Sequence, residues 1–137
     1  MRNIGNVSIG KQQAIIDALP SGEESLAVAR ASRWMESTHF WGFPTLILTN
    51  RRLVVSKDRL MGKAKEDSVV SLLEVESSGS GAVSKFGTWA IRFSTRTGQE
   101  YGLFFAETEH ALAFEEAFRE AVQHAQALGD LTAPGSV

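Results

Sequence analysis

Leu46-Ile47-Leu48-Thr49-Asn50-Arg51-Arg52-Leu53-Val54-Val55 places two aliphatic, partly β-branched runs on either side of the polar tetrad Thr49 to Arg52. Such runs fit a half-buried pleated surface, and a short polar break between two of them turns the chain, so the stretch reads as a β-hairpin. Its strands cover residues 45–50 and 53–57. Pro44 then stands at a strand start, where a missing N–H is tolerated. This hairpin is read as the centre of a β domain.

Upstream, residues 11–19 carry Ile15, Ile16 and Leu19 at helical spacing and stop at Pro20-Ser21-Gly22, which predicts a short helix. Residues 25–35 admit two readings. Their alanines suit a helix, but Leu26 and Val28 alternate with small residues, and the strand reading is preferred. Downstream, Gly62 and alternating charge make residues 58–64 a loop, and residues 68–71 and 72–75 are two brief strand candidates. Ser77 to Gly81, rich in Ser and Gly, reads as a flexible connection. Trp89, Ile91 and Phe93 share one face, with Thr88, Arg92 and Ser94 on or near the other. Residues 95–98 turn the chain, and Tyr101, Leu103 and Phe105 line one face of the return strand. The second hairpin therefore pairs two aromatic-rich surfaces.

Residues 108–128 set Ala111, Phe114, Ala117, Phe118, Ala121, Val122, Ala125 and Leu128 on one stripe at about 100° per residue, the period of an amphipathic helix. Thr108 can cap its first turn, Glu107 and Glu109 suit the positive end of its dipole, and Gly129 can close its last turn in a left-handed conformation. Residues 133–137 are read as a loose tail.

Composition bounds the function. The chain has 137 residues, 43% of them apolar and 22% charged, with twelve aromatics, which fits one globular core. The absence of cysteine removes thiolate metal sites and cysteine nucleophiles. Residues 1–20 hold no apolar block of signal-peptide length, and no uncharged run reaches the roughly 20 residues that span a bilayer. The expected location is cytoplasmic, with a peripheral position at the inner membrane face as the variant. A net charge of -2 does not favour nucleic acid as a partner. The charge is unevenly spread: residues 51–65 hold six of the fourteen basic residues against one acid, whereas residues 107–130 hold six acids against Arg119.

About seven antiparallel strands followed by one amphipathic helix describe a barrel, or two orthogonal sheets, closed at one end by the helix. The order Pro20-Ser21-Gly22-Glu23, then Leu48-Thr49-Asn50-Arg51-Arg52-Leu53, then a strand pair around residues 68–75, then Gly98 in a hairpin and a closing helix, resembles the bacterial pleckstrin-homology-like (PH-like) domain family over residues 19–128. The resemblance implies a mainly β barrel with a C-terminal capping helix: residues 1–22 a helical extension, 23–129 the PH-like domain and 130–137 a tail. Domains of this family bind proteins, assemble with themselves or meet membranes, and supply no catalytic residue or cofactor. The expected role is a non-catalytic protein-binding module that also self-associates; the alternative is a peripheral adaptor on anionic lipid.

Candidate contact residues follow from two features. The basic residues Lys57, Arg59, Lys63 and Lys65, with Arg51 and Arg52, can meet anionic headgroups, although Glu66 and Asp67 screen the end of that run. Adjacent Arg51 and Arg52 point apart at period 2. Phosphoinositide-binding PH domains concentrate bases in the first strand pair and its loop; this chain departs from that pattern, with only Arg30 and Arg33 ahead of residues 36–43. The second feature is Phe40, Trp41 and Phe43, placed in a loop beside Trp34. Phe43 and Trp34 are read as a plug over the barrel mouth, and Trp41, next to glycine, as an exposed contact. If loops 36–43, 57–65 and 95–98 share one end, Trp41, Arg59, Lys63 and Arg96 converge. Phe40 and Leu112 are the candidate interface residues, Leu112 lying about 150° from the centre of its helix stripe beside the Glu115–Arg119 pair. His39, His110 and His124 match no metal-ligand spacing.

Overall fold

A computed structural model describes residues 1–37, 39–59, 62–83 and 89–132, and the expectations for Thr88, for part of the 58–64 loop and for the 133–137 tail lie outside them. The chain runs β1 (Arg2–Asn3), α1 (Gln13–Asp17), β2 (Ser25–Arg30), β3 (Arg33–Glu36), β4 (His39–Gly42), β5 (Thr45–Thr49), β6 (Arg52–Ser56), β7 (Ser68–Ser71), a 3₁₀ turn (Leu72–Glu74), β8 (Val75–Ala82), β9 (Trp89–Thr95), β10 (Glu100–Phe105) and α2 (Thr108–Thr132). Sheet one has the order β1-β2-β5-β6-β7 and sheet two the order β4-β3-β10-β9-β8. All pairings are antiparallel except that of β1 with β2.

The opening hairpin stands as β5 and β6, registered Leu46 against Val55 and Leu48 against Leu53. All of β5 is buried, because both of its faces are covered. Leu46 and Leu48 enter the main core, while Ile47 joins Val28, Val54 and Ile15 in a second cluster under α1. Residues 1–22 are thus laid against the domain rather than detached from it. Ile4 reaches the main core, and Ile15 covers the outer face of sheet one, each such side chain contributing about 1.5–3 kcal/mol by burial.

Residues 25–35 are extended, but as two strands rather than one. At Ala31 and Ser32 the backbone changes partners: β2 pairs with β5 in sheet one, whereas Ser32 donates from N and Oγ to the Phe104 carbonyl (2.7 and 2.8 Å) and β3 continues along β10 in sheet two. A second corner lies beside the first. There the chain returns from β4 to β5 through Phe43 and Pro44, with Phe43 N donating to Ser32 O (3.1 Å) and Ala31 N to Pro44 O (3.2 Å). These corners, with β1 and β4, turn the seven expected strands into the ten described.

Between the sheets, side chains of α2 fill the core. Phe118 packs on Phe93 (ring centroids 5.1 Å) and Phe114 on Phe105 (5.7 Å), while Trp34, Tyr101 and Phe93 form a continuous wall. Ile91, Trp89 and Val122 belong to the same cluster, as the two aromatic faces of β9 and β10 require.

Four local expectations are corrected. Residues 77–81 are the middle of β8, because the seven-residue strand β9 offers them a continuous ladder that outweighs their low strand propensity. Leu72 to Glu74 form a 3₁₀ turn, and only Val75 begins the strand. Gly129 does not end α2, which continues to Thr132; a Cβ there would lie 2.7 Å from Leu73 Cδ2, so glycine serves close packing rather than a left-handed cap. Thr108 is already inside the helix, whose Ala111 N–H reaches back to the Glu107 carbonyl at 3.1 Å.

Phe118→Ala removes one of the two α2 rings that pack on aromatic rings of sheet two. Urea denaturation should show a loss of about 3–5 kcal/mol; a loss below 1 kcal/mol would mean that the helix does not close the core.

Candidate interaction surfaces

Of the residues named from sequence, Phe40, Trp41 and Phe43 lie on β4 and the corner that follows it, and Lys57 meets Trp41. Glu36 and His39–Gly42 belong to the paired strands β3 and β4 rather than to a loop, so Phe40 and Trp41 point to opposite faces. Trp41 turns toward the core, half-buried, with Lys57 Nζ 4.2 Å from its ring centroid. Phe40 faces out, 59% exposed, with the Arg33 guanidinium 4.8 Å from its ring. Such cation–π contacts contribute about 0.5–1 kcal/mol at exposed sites.

Trp34 is fully buried, as a plug requires, but Phe43 is 61% exposed. The reason is its backbone: φ is +50°, a left-handed conformation costing a bulky side chain about 1–3 kcal/mol. That conformation breaks the two-residue alternation and turns the ring outward. The expected roles of Phe43 and Trp41 are therefore exchanged.

Three arginines, Arg30, Arg52 and Arg59, are engaged in internal ion pairs. Arg59 grips Asp67 with two nitrogens, Nη1 at 2.7 Å from Oδ2, and Lys57 N–H donates to the same oxygen at 2.7 Å. Arg30 pairs with Asp58 at 2.8 Å. Arg52 bridges Glu23 (2.7 Å) and Glu66 (2.6 Å), and Thr49 Oγ1 donates to Glu23 at 2.7 Å. Lys63 and Lys65 are exposed on the loop that carries Arg59. Lys57 thus meets Trp41 through its side chain and shares Asp67 with Arg59 through its backbone, with Lys63 and Lys65 nearby in sequence. Arg96 is placed otherwise: its N–H donates to Glu74 O (2.9 Å), and among the described residues no hydrogen bond or ion pair links it to residues 57–67.

These pairs set the local titration. Hydrogen bonding from Arg59 holds the Asp67 carboxyl below its ordinary range, against the opposing effect of burial and with help from Lys57 N–H. Burial pushes Glu23 up, but hydrogen bonds from Arg52 and Thr49 outweigh it and leave Glu23 lowered.

Two further surfaces carry no motif. One is a groove of about 560 Å³ between the C-terminal part of α2, the β5–β6 turn and the 3₁₀ turn, where Val69, Leu73 and Leu128 are exposed beside Arg51. Its only trace in the sequence is a pair of doublets, Val69-Val70 and Leu72-Leu73, of which one member must face out. The other is the free edge of β8, which runs beside Glu115 and Arg119 of α2. Leu112 is 47% exposed, and Arg119 pairs with Glu115 at 2.6 Å, as the helical spacing requires. Among the described residues no group of three His, Asp or Glu side chains could hold a metal ion, and no helix is long and apolar enough to cross a membrane.

No protein-family model matches the sequence, and no curated protein does. Solved structures do. The N-terminal PH domain of Vps36 superposes with a TM-score of 0.63 at 14% identity, covering 80% of this chain and 86% of that one. The fold is PH-like. Autoinhibited Vav1 gives 0.62 at 17% identity over 84% of this chain, which spans only 22% of the Vav1 chain. The hSac2 domain of the human phosphoinositide phosphatase Sac2 gives 0.58 at 17% identity, covering 85% and 79% of the two chains. In this PH-like chain the β3–β4 hairpin and the loop that follows β6 meet at the Lys57–Trp41 contact.

A lowered folded-state pKa stabilises above the unfolded value, and that stabilisation is lost as pH falls through the folded one. Asp67→Asn should therefore melt at lower temperature than the parent at pH 7, with the gap closing below about pH 4. A gap that persists at pH 2 would assign the effect to packing instead.

Proposed function

We propose that this chain is a non-catalytic PH-like binding module that contacts other proteins, copies of itself included, and works in the cytoplasm. Residues 23–129 would form the module, with residues 1–22 as an extension over sheet one. The Thr49-Asn50-Arg51-Arg52-Leu53 turn supports a place near the bacterial PH-like domains. One observation carries the reading: Arg30, Arg52 and Arg59 are committed to Asp58, to Glu23 and Glu66, and to Asp67, while Phe40 and Phe43 stand exposed at a hydrogen-bonded corner. Exposed aromatics on a fixed backbone make efficient contact anchors because little side-chain freedom is lost on binding.

The competing reading is an adaptor on anionic membranes. Phe40 and Phe43 could enter the interface, with Lys57, Lys63 and Lys65 facing the headgroups. Each base near such a surface is worth about 1 kcal/mol, and Lys57 already lies over Trp41. Two freely exposed lysines give only about 2 kcal/mol, too little for stable attachment and strongly screened by salt.

Sedimentation with neutral and anionic vesicles across a salt series separates the two. The expected result is a protein that stays in the supernatant at physiological salt, with a Phe40→Ser/Phe43→Ser variant that folds normally but loses co-purifying protein. Pelleting with anionic vesicles that Lys63→Glu/Lys65→Glu abolishes would put the membrane reading first.

A further inference from the structure

Among the described residues, β8 is the longest edge strand and the least protected. Proteins blunt their sheet edges with short strands, proline, lysine or inward charge, because an open row of N–H and C=O groups pairs with another chain. The other edges follow this rule: β1 has two residues, and β4 and β7 have four each. β8 has eight, Val75-Glu76-Ser77-Ser78-Gly79-Ser80-Gly81-Ala82, with no proline or lysine and one charge near its start. From Glu76 to Ala82 all but Gly81 are exposed, and among the described residues these seven have no strand partner but β9.

A second, independent observation lies beside this edge. Ser78, Gly79, Ile91, Glu115, Phe118 and Arg119 line a 60 Å³ pocket between β8 and α2. Arg119 takes one carboxylate oxygen of Glu115 at 2.6 Å, and the other, Oε2, is buried with no hydrogen-bond partner among the described residues. A buried acceptor left unpaired costs about 1–3 kcal/mol, so a donor brought alongside β8 is favoured there. Leu112 lies on the same side of α2 as Glu115 and Arg119, within an arc of about 60°.

We propose that β8 pairs with β8 of a second copy of this chain, antiparallel about a twofold axis at Gly79, merging two five-stranded sheets into one. The proposal rests on the self-association reading above and names its interface. The strand is self-complementary in that register. Ser78 meets the other copy's Ser80, Ser77 meets Gly81, and Glu76 meets Ala82, so no like charges oppose and no large side chain obstructs the approach. Facing serines exchange hydroxyl hydrogen bonds, a favourable cross-strand pair. The twofold also brings the Leu112 sides of the two α2 helices toward each other.

The chain has no cysteine, so a single introduced thiol reports the axis. A Cβ at Gly79 or at Gly42, on the opposite edge of the same sheet, would meet nothing within 4 Å, so both positions accept cysteine. Strands paired about Gly79 place its two Cα atoms about 4.5–5.5 Å apart, within disulfide reach. Light scattering after size exclusion over a concentration series should give twice the chain mass. Ser78→Lys/Ser80→Lys, which sets lysine against lysine, should raise the dissociation constant at least about tenfold. Mild oxidation should convert Gly79→Cys, but not Gly42→Cys, into a covalent dimer, which decides the matter if the lysine variant unfolds by circular dichroism. A monomer at every concentration overturns self-association and this interface together. A dimer indifferent to the lysines, with no crosslink specific to Gly79→Cys, keeps self-association and overturns β8 as its site, as does a β8 that pairs only with a foreign extended peptide.

Discussion

The Phe104 carbonyl accepts from both the backbone and the hydroxyl of Ser32, and on that double bond the barrel depends. It fixes the point at which one continuous extended segment leaves sheet one and enters sheet two. With the adjacent Phe43–Ser32 and Ala31–Pro44 bonds it ties two corners into a single joint. Only because the chain passes directly between the sheets at these corners do their inner faces enclose one core. Only because the core is open at one end do Phe114 and Phe118 have a place to go. Small residues at the joint matter: Ala31 is buried there, and Ser32 supplies a second donor from a short side chain.

Most of this architecture is written in periodicity. Alternation in Trp89-Ala90-Ile91-Arg92-Phe93 and in Tyr101-Gly102-Leu103 exposes the inner wall directly, and the α2 stripe needs only a count of residues. The central hairpin is legible for a different reason, since a strand covered on both faces must be apolar throughout. What the pattern hides is partner exchange. Leu26 to Met35 looks like one strand because extended backbone is extended in either sheet, and nothing local marks Ser32 as the crossing. Residues 77–81 mislead in the opposite way. Their serines and glycines have weak preferences of their own, and the strand is imposed by β9 across the sheet. Gly129 illustrates a third limit, because a glycine near a helix end can serve a tight turn or a close neighbour, and only the position of Leu73 decides.

The candidate site was legible in its residues and less so in its geometry. Trp41 and Lys57 do meet, yet two of the arginines that gave the region its basic character, Arg52 and Arg59, are paired with Glu23, Glu66 and Asp67. A count of lysines and arginines cannot show this, since it records composition and not pairing. Orientation fails similarly at Phe43, where one backbone angle reverses the outcome of the alternation rule. The β8 edge had no signature, because it is notable for lacking the features that usually guard such strands.

Phe43 sits at one of these corners against its own backbone preference. In a left-handed conformation a glycine or an asparagine would be more comfortable, and a solvent-facing ring returns nothing to the core. Either of those residues would ease the backbone at this corner, and the phenylalanine is a local cost that the rest of the scaffold carries.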